Sequence, residues 1–284
     1  MTAPARASVR MLHGLPLCDP AEIEQDTGFT RTIRSLVTIP LTSLGLLAAV
    51  AALSLGNLMA AALAVAATLG VVVSLVRDTR LSVAVDRLRT GQLAAAEAGM
   101  TTLVRPSTAP DRQRGRAEAY LAAIAWARGR HAEALRWTQA RGRTLARVGA
   151  PADERYLNEA SAVLLLALGG ELDKAQAQLA ELGPAPPGER WARAEAAAGL
   201  SVAFARDDLD AVRPRLPRWQ ALCRAEAPLI SGWMAWALDR QQQDGPALEA
   251  AALARQEIEA LALHVPALAD WVTRFGDARL RYRS

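Results

Sequence analysis

The chain predicts an all-α fold in two parts, a two-helix transmembrane hairpin followed by an α-solenoid of about four to five helical hairpins. Three observations carry this reading. Residues 35–76 form an uncharged, strongly apolar run of 42 residues, longer than a soluble domain needs. Beyond it, Ala, Leu, Arg, Glu and Gln dominate, apolar residues recur three and four apart, and strand signals are nearly missing. Gly and Pro gather near 105–110, 148–151, 183–188, 225–228 and 243–246, which cuts the remainder into hairpin-sized pieces.

A helix rises about 1.5 Å per residue through a hydrocarbon core about 30 Å thick, so one span takes about 20 residues. The run is two spans long, and its middle, Ser54-Leu55-Gly56-Asn57, carries turn-forming residues. The expected spans are therefore 35–53 and 58–76, preceded by a cytoplasmic segment 1–34. Arg31 and Arg34 lie before the first span, Arg77, Arg80, Arg87 and Arg89 lie after the second, and the turn has no charge. Basic flanks stay on the cytoplasmic side, so both termini are expected inside the cell, on a bacterial inner membrane. The apolar run starts too late and is too long for a cleaved signal peptide. Leu15-Pro16-Leu17-Cys18 hints at lipid attachment but follows no apolar stretch.

In the second span Ala62, Ala66, Gly70 and Ser74 recur every fourth residue and form a stripe that permits close backbone approach. The stripe suits packing within the hairpin, and it also suits a homo-oligomer. No ionisable residue interrupts either span, which argues against an ion or proton pathway.

From Arg77 to Ser284 there are 29 basic and 25 acidic residues, a net of +4, and the whole chain has one Lys against 32 Arg. That is a compositional bias of a GC-rich genome more than a nucleic-acid footprint, which would concentrate charge on one face. Cys18 and Cys223 are far apart, so reduced thiols are expected and no disulfide framework.

The repeat is plainest in Tyr120 to Leu135, an apolar helix, a turn at Gly129, and a second helix with Ala134 at a close-packing position. The layout returns in Ala162 to Ala175, with Gly170 and Ala175 in those places, and earlier at Gly91 and Ala96. A later copy has Asp207 for the turn residue and Val212 for the packing alanine. Turn positions 91, 129, 170 and 207 are 38, 41 and 37 residues apart. Residues 233–238 and 248–263 form a further hairpin with an irregular turn at 241–246. Over 82–263 the chain resembles the tetratricopeptide-repeat family, whose unit is about 34 residues. The resemblance implies stacked antiparallel helices with a concave face that recruits peptides or partner domains. Segment 264–284, opened by Pro266 and carrying Leu268, Trp271, Val272 and Phe275, is expected to cap the solenoid, or else to make a second contact with membrane or partner.

Seven tryptophans stand out in a chain otherwise poor in aromatics. Trp126 is expected in the core, while Trp137 is open to core packing or exposure. Arg128, Arg130 and Arg141 belong to a basic segment that reads as a solvated face, a groove for acidic peptides, or a contact with anionic lipid. With Trp137 they make up the candidate partner-binding set. His13, His131 and His264 lack a metal-ligand pattern, and no phosphate loop, dinucleotide fingerprint, nucleophile elbow or paired-carboxylate motif occurs. No metal, cofactor, catalytic residue or specific nucleic acid is therefore expected. The expected function is a non-enzymatic, membrane-anchored adaptor or scaffold for protein partners, the alternative being an accessory subunit of an envelope enzyme or transport complex whose catalytic residues lie on another chain.

Overall fold

The computed structural model describes residues 15–16, 29–105 and 110–281, with side chains described at 15, 16 and from 42 onward except 71, 74–78 and 278–281. The described residues contain thirteen α-helices, one 3-10 turn and no strand. In chain order the α-helices are α1 (Phe29–Ser54), α2 (Leu58–Arg89), α3 (Leu93–Leu103), α4 (Asp111–Ala127), α5 (His131–Arg147), α6 (Ala152–Leu168), α7 (Leu172–Glu181), α8 (Glu189–Arg206), α9 (Leu216–Gln220), α10 (Pro228–Arg240), α11 (Asp244–Arg255), α12 (Ile258–His264) and α13 (Pro266–Arg281). The 3-10 turn, Arg213–Arg215, precedes α9. The described residues form two compact units, 29–117 and 15–16 with 118–281, divided within α4.

One turn recurs along the chain. At Gly56, Gly91, Gly129, Gly149 and Gly170 the backbone enters the left-handed region. Each of these residues donates its N–H to the carbonyl three back, and its successor donates to the carbonyl five before itself. At Gly129 the two bonds are Gly129 N–H to Trp126 O, 2.7 Å, and Arg130 N–H to Ala125 O, 2.9 Å. This Schellman closure satisfies carbonyls that a helix end otherwise leaves open. Asp207 (φ 55°) and Gln242 (φ 59°) make the same pair of bonds without glycine. The turn at 241–246, expected to be irregular, is thus regular, with Gln242 at 35 residues from Asp207.

Five positions after the turns at 91, 129, 170, 207 and 242 come Ala96, Ala134, Ala175, Val212 and Ala247, all buried. The second helix of each hairpin crosses close to the first there, where little beyond a Cβ fits. The copy at Asp207 departs from the others. Its second helix shrinks to the 3-10 turn and the five residues of α9, with Pro214 and Pro217 in it.

In the first unit α2 runs unbroken from the expected second span into the first repeat position, because no Gly or Pro lies between 71 and 90. Leu81, Ala84, Val85 and Leu88 on its second half pack against Ala96, Met100 and Leu103 of α3. In the second unit α6, α8 and α10 form an inner layer, with 160–167, 194–203 and 228–238 buried throughout. Helices α5, α7 and α11 flank them, half exposed. The expected helix over 248–263 breaks at Gln256-Glu257 into α11 and α12, after which α13 returns onto α10, burying Leu268 and Val272. Leu15, noted in the sequence only beside Cys18, is buried in this core.

The second unit's inner helices are buried along these stretches partly by Trp219 from α9, whose ring lies 2.6 Å from where a Gly199 Cβ would stand.

Two outcomes follow for the full chain in detergent, read by thermal or urea unfolding. Ala134→Arg and Ala175→Arg each lower stability by about 2–4 kcal/mol, because a long charged chain has no room at the crossing. Gln242→Gly raises it by up to about 1 kcal/mol by relieving a left-handed residue that carries a Cβ.

Candidate interaction surfaces

The first unit carries an apolar surface that its own packing leaves uncovered. Of fourteen exposed large hydrophobic residues among the described residues, thirteen lie between Leu44 and Val73. The two helices of the pair touch through small residues: Ala49 and Ala61 are buried, and Gly45 faces Thr68 so closely that no Cβ would fit. Thr68 donates its hydroxyl to Ala64 O at 2.8 Å, so this polar group is satisfied inside its own helix. Asn57 accepts from Ala60 N–H at 3.1 Å and caps α2.

Ala62, Ala66 and Gly70, the stripe expected to serve packing, are exposed, and the side chain of Ser74 lies outside the described residues. The hairpin contact uses a different stripe, Ala61, Ala64 and Thr68, which at about 100° per residue lies nearly opposite on the helix. Among the described residues no helix is long and apolar enough to cross a membrane.

In the second unit two of the four candidate partner residues, Arg130 and Trp137, meet at Glu133. Glu133, at the start of α5, gathers most of the local polarity. It pairs with Arg130 at 2.8 Å and Arg136 at 3.5 Å, and it accepts from Trp137 Nε1 at 3.4 Å. Trp137 is half-buried and packs on the core edge, with the Arg136 guanidinium 5.5 Å from its ring centre. Arg141 is largely buried beside Glu154, 3.8 Å away, and Arg128 is half-buried on the α4–α5 turn. Between α5 and α7 an open groove of about 590 Å³ runs over Leu135 and Leu166, walled by Arg136, Gln139, Glu171, Lys174, Gln178 and Glu181. Its walls are long polar side chains, and Lys174 and Glu171 pair with each other.

Two buried polar groupings were not visible in the sequence. Glu195, only 3 % exposed on α8, takes Trp219 Nε1 at 3.3 Å and faces Arg215 at 3.5 Å and Arg218 at 3.6 Å. Burial and the Glu195 charge raise the Tyr156 hydroxyl well above its ordinary value. This cluster ties the shortened fourth hairpin to α8, and both arginines reach solvent. Burial likewise pushes the Cys223 thiol up to about 11, which leaves it protonated and unreactive at neutral pH.

The second grouping joins residues 133 apart. His131 Nε2 and His264 Nδ1 lie 3.2 Å apart, and Trp126 stacks on His264 with centroids 3.8 Å apart and planes 9° from parallel. The two imidazole centroids are 5.5 Å apart. That exceeds the nitrogen separation by a ring's full width, so the nitrogens lie on the line between ring centres and their lone pairs face one another. One ring must donate an N–H to the other. Lone pairs aimed head-on do not converge on a third point as metal ligands must, and among the described residues no group of three His, Cys, Asp or Glu is placed to hold a metal ion.

Compared with known proteins, the chain matches no family, no curated protein and no solved structure at a significant level.

The Glu195 cluster gives a graded expectation in urea unfolding of the full chain. Glu195→Ala costs about 1–3 kcal/mol, chiefly by stranding the Trp219 N–H in the core, while Arg215→Ala costs less than about 1 kcal/mol because that side chain is half in water.

Proposed function

We propose that this chain is a membrane-anchored helical-repeat scaffold, with its N-terminal hairpin in the bilayer and its repeat region facing the cytoplasm to hold protein partners there. The observation that carries the reading is the apolar surface from Leu44 to Val73, thirteen large side chains facing outward on a helical pair whose own contact uses only small residues. In water such a surface would drive association, whereas in hydrocarbon it costs nothing. The flanking sequence supports it, since 35–76 is free of charge and basic residues bound it on both sides.

The repeat region is read as tetratricopeptide-like. Five left-handed turns, each followed five residues later by a buried residue that is alanine in four copies and valine in one, support that, at spacings of 38, 41, 37 and 35. With the inner helices buried, partners are expected on the outer helices, where the α5–α7 groove of about 590 Å³ offers a recess. Tethering keeps a weakly held partner at high local concentration, so modest affinity suffices. The filled interior also favours a second reading, a dedicated accessory subunit that docks as a rigid body onto one larger assembly. Affinity isolation from gently solubilised membranes separates the two, one stoichiometric partner marking the subunit and several partners the scaffold.

The anchor is tested by topology. A reporter fused after Ser284 should behave as cytoplasmic, a cysteine at Gly56 should be labelled only from the opposite side, and the chain should resist carbonate extraction. Release by carbonate, or labelling of residue 56 from the cytoplasmic side, would sink the hairpin reading.

A further inference from the structure

The arc of the second unit closes on itself, and the closure passes through the two histidines. His131 opens α5 just after the Gly129 turn, and His264 ends α12. Beside the pair, a Cβ on Gly129 would lie 3.1 Å from Leu263 Cδ1. Leu261 and Leu268, on α12 and α13, crowd Gly232 of α10, where a Cβ would stand 3.4 and 3.1 Å from them. Helix α12 therefore lies against the α4–α5 turn through one stacked aromatic contact, one imidazole pair and aliphatic packing, while α13 packs over α10 and is tied to α11 by Arg255, which reaches Thr273 O at 3.0 Å and Asp277 at 2.5 Å.

We propose that the His131–His264 pair is a protonation-sensitive clasp, which holds α12 against the α4–α5 turn while both rings are neutral and releases it on acidification. The geometry gives the reason. A neutral pair places one N–H against one lone pair, a second proton on the axis would set two donors head to head, and any charge there is buried against Trp126.

The surrounding charges do not compensate. On α5 Glu133 is engaged with Arg130 and Arg136, and the turn adds Arg128, a further cation. The last turns of α4 and residues 228–238 of α10 contain no charged side chain. Glu226 and Glu257 border the small cavity of about 220 Å³ that His264 also lines, and Glu259 is exposed on α12. Burial, and after it the charge of His131, pushes the His264 imidazole down to about 3, and burial lowers His131 below 6.5 as well.

The sign follows from these directions. Both folded values lie below the ordinary 6.5, so the closed form binds fewer protons than the open form. Closure is complete above 6.5 and weakens as pH falls through that value toward about 3. The opening equilibrium grows by up to about tenfold per pH unit for each histidine in that window.

The test is hydrogen exchange by mass spectrometry on the full chain in mild detergent, from about pH 7.5 to about pH 5, corrected for intrinsic exchange chemistry. Peptides covering 121–135 and 258–264 should lose protection together while those in 194–203 keep theirs. In the His131→Gln/His264→Asn double variant, whose amides can still pair but do not titrate, protection of those peptides should not change with pH. If the double variant fails to fold, His131→Gln alone should reduce the pH slope. Unchanged protection in the native chain, loss spread evenly over the second unit, or an undiminished slope in the folded variant would each overturn the clasp.

Discussion

The second unit depends on how closely two helices of a hairpin can approach immediately after a left-handed turn. The turn fixes the crossing point, because the residue in the left-handed region ends one helix and the next begins two positions later. The residue five positions on then lies at the crossing, and its side chain sets the separation. Ala134, Ala175 and Ala247 are all fully buried there. Each turn also ties off two carbonyls, so the chain reverses without stranding a polar group as the next helix starts.

Close approach has a consequence for the interior. Alanine-lined helices can be surrounded, and α6, α8 and α10 are buried along 160–167, 194–203 and 228–238. The shortened fourth hairpin adds to the effect: with α9 only five residues long, Trp219 reaches inward over Gly199 and meets Glu195. The outer helices around the α5–α7 groove carry long polar side chains instead.

Much of this was legible in the sequence. Glycine marks a left-handed residue, so the turns at Gly56, Gly91, Gly129 and Gly170 could be read directly, and the all-helical class followed from composition and period. The turn at Gln242 carried no such mark, since glutamine seldom adopts φ near 59° and the hydrogen bonds that hold it there belong to the backbone. Alanine was uninformative in another way. In an Ala-rich helix Ala61 and Ala62 look alike, yet one is buried at the hairpin contact and the other exposed, because one residue turns the helix by about 100°. The pairing of His131 with His264 had no local signal, as each sits at a helix end and only the return of the chain brings them together. The Glu195 cluster was hidden for the same reason.

Helix α2 links the hairpin to the first repeat position within one element. At about 1.5 Å per residue its 32 residues extend about 48 Å, of which the uncharged part, 58–76, takes about 29 Å. The rest, carrying Arg77, Arg80, Arg87 and Arg89, continues as the surface onto which α3 packs. No glycine or proline interrupts it, so no hinge lies between the apolar part and the α2–α3 contact. If the hairpin sits in a bilayer, α3 is held at a set height and rotation relative to that bilayer, a stiffer attachment than a flexible linker gives. The length of that one helix would then set where the first repeat hairpin begins.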